Sequence, residues 1–119
     1  MNFKSDRPIY RQIVDYCFNC ILSDAWKAGE RVPSVRELAL SMSVNTHTVL
    51  KAYEYLQNHD IIESRRGMGY YLCADARDKV NFTRREDFFE SVVPDLFQQM
   101  SLLGISLEEL IDAYKESKS

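Results

Sequence analysis

The sequence predicts a mostly α-helical protein with one β-hairpin and a helical tail, on three observations. Residues 33–56, "PSVRELALSMSVNTHTVLKAYEYL", hold two apolar-periodic segments almost back to back. The stretch "IIESRRGMGYYLC" after them is rich in β-forming residues and carries two glycines near its centre. Further on, apolar residues return at helical spacing, with Pro94 and Gly104 as the punctuation.

The bulk composition sets the bounds. At 119 residues the chain is one domain, or one small domain with an appendage. Hydrophobic residues at 45% and charged residues at 28% argue against disorder. No apolar run approaches the roughly 18 residues of a membrane span. The start, "MNFKSDRPIY", lacks the apolar stretch of a secretory signal, so the expected compartment is the cytoplasm. Cys17 and Cys20 form a C-x2-C, but they sit inside an apolar helical pattern and no second pair completes four ligands. They read as small buried hydrophobes, and no metal or cofactor is expected. The net charge of −3 looks wrong for a nucleic-acid binder. Residues 1–75 hold nine Lys/Arg and nine Asp/Glu, whereas residues 76–119 hold six and nine, so the acidity lies in the tail. Any polyanion must then be met by where the cations point.

The first helix is expected from Pro8 to Ala25, because proline suits a first helical turn. Ile9, Ile13, Cys17 and Cys20 make one apolar line, and Tyr10, Val14, Phe18 and Leu22 another, so the helix is buried on more than one face. "WKAGERVPS" reads as a loop. Ser34 with Glu37 is a capping box, in which each side chain satisfies a backbone N–H near the helix start. Val35, Leu38, Ala39 and Met42 give the second helix one buried face. Asn45 is a good N-cap for the third, and Val44 before it can staple onto Val49. Val49, Ala52, Tyr53 and Leu56 repeat the inward spacing. The two helices share one core through the short turn "SVN", which is a helix-turn-helix.

Ile61 to Arg65 and Tyr70 to Cys73 are expected to pair as strands, with Gly67 and Gly69 supplying the turn. The G-x-G opens no helix, which rules against a nucleotide loop. A helix-turn-helix followed by a hairpin is a winged helix, placed at residues 1–75. Residues 76–119 form the tail. After a polar link near "ADARDKVN", Thr83 and Glu86 read as a second capping box. Phe89, Val92, Val93, Leu96, Phe97 and Met100 form a stripe that Pro94 should kink or divide. Gly104 ends it, and Ser106 with Glu109 is a third capping box. Leu107, Leu110, Ile111 and Tyr114 are the apolar face of the last helix. A pair this small cannot bury its own stripe, so a partner subunit is the expected cover, which makes this a two-helix dimerisation tail.

The polar residues suggest the chemistry. Thr46, His47, Thr48, Lys51 and Tyr55 face away from the buried stripe of the third helix. Hydroxyl and amide groups at a helix start can meet base edges or phosphates, and its dipole favours anions. Arg36, just inside the second helix, could take a phosphate or the edge of a guanine. Arg65 and Arg66 put two cations on the hairpin tip, suited to a minor groove. Any one of these is ordinary on a solvated surface, His47 included. Three elements converging on one side favour DNA. No nucleophile–base pair, metal set or phosphate loop is present, so no enzyme is expected. The competing reading is a winged helix for protein interaction that lacks specific DNA binding.

From Pro8 to Leu72 the chain resembles the DNA-binding domain of GntR-family bacterial transcriptional regulators, through "GERVPSVRELA", "VNTHTVLKAYEYL" and "IIESRRGMGYYL". It departs from the family pattern at Val32, where leucine is usual, and in "NHDII", where a glycine is usual. The resemblance implies a dimer reading a short inverted repeat. It implies DNA contacts at Arg36, Asn45, Thr46, His47, Thr48, Lys51, Arg66 and Gly67, with Ser34 adding a phosphate contact through the helix start. The short tail, containing "LLGISLEELIDAYK", resembles the YtrA-type branch, whose members often regulate transporter genes. Repression is implied by family habit, and a small-molecule effector is compatible with the branch but not indicated by any residue.

Overall fold

The computed structural model describes residues 7–119, so the N-terminal stretch searched for a secretory signal lies largely outside the described residues. Helix α1 spans Ile9–Leu22, α2 Val35–Met42 and α3 Thr46–Asn58. Strands β1 (Ile62–Arg65) and β2 (Gly69–Leu72) follow, then α4 (Ala76–Asp87), a π-helical turn (Phe88–Val92), α5 (Val93–Leu103) and α6 (Leu107–Ser117). The fold is mostly helical, with three helices and a hairpin in the winged-helix order. The chain divides into two compact units, residues 1–82 and residues 83–119.

In the first unit, one apolar core collects the inner faces of every element. It contains Ile13, Val14, Cys17 and Phe18 of α1, Leu38 and Ala39 of α2, and Val49, Ala52, Tyr53 and Leu56 of α3. Ile62 and Leu72, paired across the hairpin, close it from below the wing. Burial pushes the Cys17 thiol well above its usual range, as fits a small core hydrophobe. Helix α1 stops at Leu22 rather than Ala25, because Asp24 takes a left-handed φ of 63°. Arg77 of α4 covers that end, donating to the Leu22 carbonyl at 2.9 Å and to Asp24 at 3.0 Å. A cation there also suits the negative end of the helix dipole.

The expected polar link is helix instead. Ala76 and Val80, one turn apart, are both in the core and hold α4 against it. Thr83 therefore lies inside a running helix, and the Thr83–Glu86 capping box does not form. The capping boxes at Ser34–Glu37 and Ser106–Glu109 are both present. "WKAGERVPS" is also more ordered than a free loop. Arg31 forms an antiparallel bridge with Tyr71 of β2, flanked by bonds from Gly29 N–H to Leu72 O at 2.8 Å and from Val32 N–H to Tyr70 O at 3.0 Å.

The second unit behaves differently. Pro94 has no N–H for the Glu90 carbonyl four residues back, and the turn just before it widens to a π-helical one. The helix is divided there into the π-helical turn and α5, with Val92 and Val93 both in the right-handed helical region. Gly104, at φ 66°, ends α5 as expected. Neither α5 nor α6 contains a buried residue.

Candidate nucleic-acid interface

The bend between α2 and α3 is held by backbone chemistry. Ser43 adopts the left-handed conformation at φ 55°, so its N–H reaches Leu40 O at 3.3 Å and the next N–H, of Val44, reaches Ala39 O at 3.0 Å. That pair of bonds is a Schellman motif, normally built on glycine. Val44 tucks against the core, and Asn45 immediately caps α3 by accepting the His47 N–H at 2.7 Å. One residue ends a helix, one packs, and one begins the next.

Before α2, Ser34 and Glu37 exchange hydrogen bonds of 3.0 and 3.1 Å. The bond from the Ser34 N–H holds the Glu37 carboxyl below its ordinary range, helped by Arg31 at 3.7 Å. Tyr53 of α3 donates to the Pro33 carbonyl at 2.6 Å, just ahead of that cap. The start of α2 is thus fixed from both sides. Arg36, on the next residue but one, is exposed and makes no hydrogen bond or ion pair among the described residues.

On α3 the expected polar set is split by contacts with α1. Lys51 lies 4.4 Å over the Tyr10 ring, a cation–π contact. Tyr55 is half-buried, stacked on His59 at 4.1 Å and covered by Arg11 at 4.6 Å. It faces α1 rather than an open surface, so the expectation of an outward Tyr55 is corrected. Thr48 is half-buried, while Thr46 and His47 are exposed. The open ridge of the helix runs through Thr46, His47, Leu50 and Glu54.

The hairpin tip turns through Arg65, Arg66, Gly67 and Met68, closed by Met68 N–H to Arg65 O at 2.9 Å. Gly67, at φ 74°, occupies the third position of that turn, where only glycine is unstrained. The two tip cations are not equivalent. Arg65 is paired with Glu63 at 2.9 Å and lies 3.9 Å over the Tyr71 ring. Arg66 is exposed and has no such partner among the described residues. Arg31, in the stretch expected to be loop, bridges to Tyr71 across the edge of β2. A β-carbon at Gly69 would lie 3.2 Å from its Nε. The only signal in the sequence was the change from charged Arg31 to apolar Val32 in "ERV", which the structure turns into an exposed and a buried position.

This assembly of a capped bend, an open α3 ridge and a glycine-turned wing has a family counterpart. The model for "Bacterial regulatory proteins, gntR family" matches residues 9–72, from the start of α1 to the end of β2. The chain belongs to the GntR family. It is a DNA-binding transcriptional regulator of that family's short YtrA-type branch, not an enzyme. It is 34% identical to the HTH-type transcriptional repressor YtrA of Bacillus subtilis over 95% of this chain and 86% of that one. To the HTH-type transcriptional regulator YhcF of the same organism it is 31% identical, over 95% and 92%. Among solved structures it is similar to a GntR-family regulator from Bacteroides thetaiotaomicron, with a TM-score of 0.79 and 37% identity over 92% and 95% of the two chains. Among the described residues, no helix of this GntR-family chain is long and apolar enough to cross a membrane.

Proposed function

We propose that the chain is a homodimeric repressor, acting in the cytoplasm, that reads an inverted-repeat operator, with transporter genes as the regulated class. The carrying observation is the second unit. Its helices bury no side chain of their own, and they expose Phe89 (60%), Phe97 (60%), Leu107 (61%) and Tyr114 (62%). Soluble monomers rarely leave so large an apolar surface bare, and a second copy of the same stripe is its self-complementary cover. Val92, Val93, Leu96, Met100, Leu110 and Ile111 belong to the same seam, to which Phe88, Leu102 and Leu103 add exposed apolar area.

Pairing through residues 83–119 brings two first units to one duplex. Two α3 helices then enter successive major grooves roughly 34 Å apart. Thr46 and His47 read base edges, and Arg36 meets a guanine or a phosphate beside them. Ser34, Asn45, Thr48 and Lys51 position the helix on the backbone, while Arg65, Arg66 and Gly67 bring the wing to the flanking groove. Repression is the role for which the relative YtrA is named. It works by occupying promoter DNA.

The test is a gel shift of full-length protein on its gene's own upstream region across a salt series, alongside sedimentation. Retention that weakens steeply with salt, by a dimer, is expected. No retention at low salt would leave a protein-interaction winged helix as the better account, and retention by a monomer would remove the dimer.

A further inference from the structure

The outward ridge of α3 contains one residue that cannot hydrogen-bond. Leu50 is 37% exposed, one helical turn beyond Thr46 and His47 and one turn before Glu54. Residues three and four apart share a helix face, so Leu50 stands in the middle of a polar row. Its neighbour in sequence, Lys51, is drawn to the opposite flank by the Tyr10 ring, and Tyr55 beyond it is packed against α1. The α1 flank of α3 is therefore occupied, and the flank bearing Thr46 and Leu50 is the open one. Leu50 is no core residue. The buried stripe of the helix is complete without it, in Val49, Ala52, Tyr53 and Leu56.

A leucine side chain offers a base edge only apolar surface. In the major groove, one base presents a matching group: thymine, through its C5-methyl. Cytosine, adenine and guanine show donors or acceptors there, which a leucine would desolvate without replacing. We infer that Leu50 is a specificity-determining residue, whose side chain packs on a thymine methyl in each operator half-site. The inference rests on the DNA-binding reading above and adds the base to which this position answers. Thr46 and His47 supply hydrogen bonds on one side of that methyl, and Glu54 suits a cytosine amino group on the other.

The experiment is a two-by-two comparison by gel shift at fixed salt. Wild type and Leu50→Ala are each titrated onto the gene's upstream duplex and onto the same duplex with deoxyuridine replacing every thymine. Deoxyuridine pairs as thymine does and lacks only the methyl. Leu50→Ala keeps helix propensity at an exposed site, and thermal melting confirms that the variant is folded. Wild type is expected to bind the uridine duplex more weakly, by about fourfold per half-site, the worth of one buried methyl group. For Leu50→Ala the two duplexes should be bound alike. Leu50→Met, still apolar, should restore most of the preference for thymine.

An equal preference for thymine in wild type and Leu50→Ala overturns the contact. So does an alanine variant that binds the thymine duplex as tightly as wild type. If wild type retains neither duplex at low salt, the DNA-binding reading itself has failed, and the contact falls with it.

Discussion

The Tyr53 hydroxyl donates a 2.6 Å hydrogen bond to the Pro33 carbonyl, from the middle of α3 to the residue just before the cap of α2. Tyr53 is fully buried, with its ring edge-on to Tyr70 at 5.1 Å and to Trp26 at 6.3 Å. One side chain thus joins both helices of the motif to the base of the wing. Burial raises its pKa far above the usual phenol range, so the hydroxyl stays a donor throughout the working pH range. Tyr53→Phe keeps the ring and removes the bond. A loss of about 1 kcal/mol in unfolding free energy is expected, with the fold retained. Urea denaturation measures it, and an unchanged midpoint would mean the bond adds nothing.

Arg36→Ala should weaken operator binding without unfolding the chain, because the side chain is exposed and has no partner among the described residues. A bidentate contact is worth about 1–3 kcal/mol per subunit. Gel shift with circular dichroism as the folding control reads both parts. Undiminished affinity in a folded variant removes Arg36 from the interface.

The two wing arginines should separate. Arg66→Ala is expected to lower affinity evenly across sequences and to flatten the salt dependence by roughly one phosphate per subunit. Arg65→Ala should do less, since Arg65 already spends its charge on Glu63 and its plane on Tyr71. Salt titrations of the two single variants decide it. A larger effect from Arg65 than from Arg66 reverses the assignment.

For assembly the direct variant is Phe97→Asp. Phe97 is 60% exposed within its own chain, so the charge does not disturb a core. At a two-fold seam it would place two buried carboxylates with no counter-charge. Sedimentation at matched micromolar concentration should show a dimer for wild type and a monomer for the variant, whose operator binding then loses its avidity. A variant that still dimerises points to a different interface.

Ser43 pays for the tight bend with a left-handed backbone that glycine would adopt freely. Ser43→Gly is expected to raise stability by about 0.5 kcal/mol, the relief of strain less the added chain entropy. Thermal melting checks the sign. Destabilisation would show that the serine side chain itself contributes to the bend.

Features written in local chemistry were legible in the sequence. The boxes at Ser34–Glu37 and Ser106–Glu109, the Asn45 cap and the Gly104 stop each involve residues within three positions of one another. Pro94 announced its disturbance for the same reason. The start of α4 was hidden because its helix is mostly polar and its one large aromatic, Phe82, is exposed, so only the distant core makes Ala76 and Val80 decisive. Once that helix is under way, Thr83 has nothing left to cap. The missing glycine in "NHDII" is met by Asp60 itself, which takes a left-handed φ of 56° and ends α3 with the bond pattern seen at Ser43. Within the candidate site, the sequence named the residues around the bend but could not tell which were already engaged. Tyr10 and Lys51 are 41 residues apart, and no periodicity brings them together. The polarity of a side chain shows in the sequence, while its availability depends on tertiary neighbours.

If its bare helices are covered by a second copy, the second unit, with α5 and α6 burying nothing on their own, would tie the behaviour of the whole chain to its abundance. On the dimer reading, assembly is second order, so its yield rises with the square of the free subunit concentration at low levels. Half-sites held by single subunits would then be occupied weakly, and paired ones only after a threshold of synthesis has been passed. A tail of 37 residues (83–119) would in that way act as a gauge of copy number. A regulator that represses its own gene could use such a gauge to hold its level steady, with no small molecule involved.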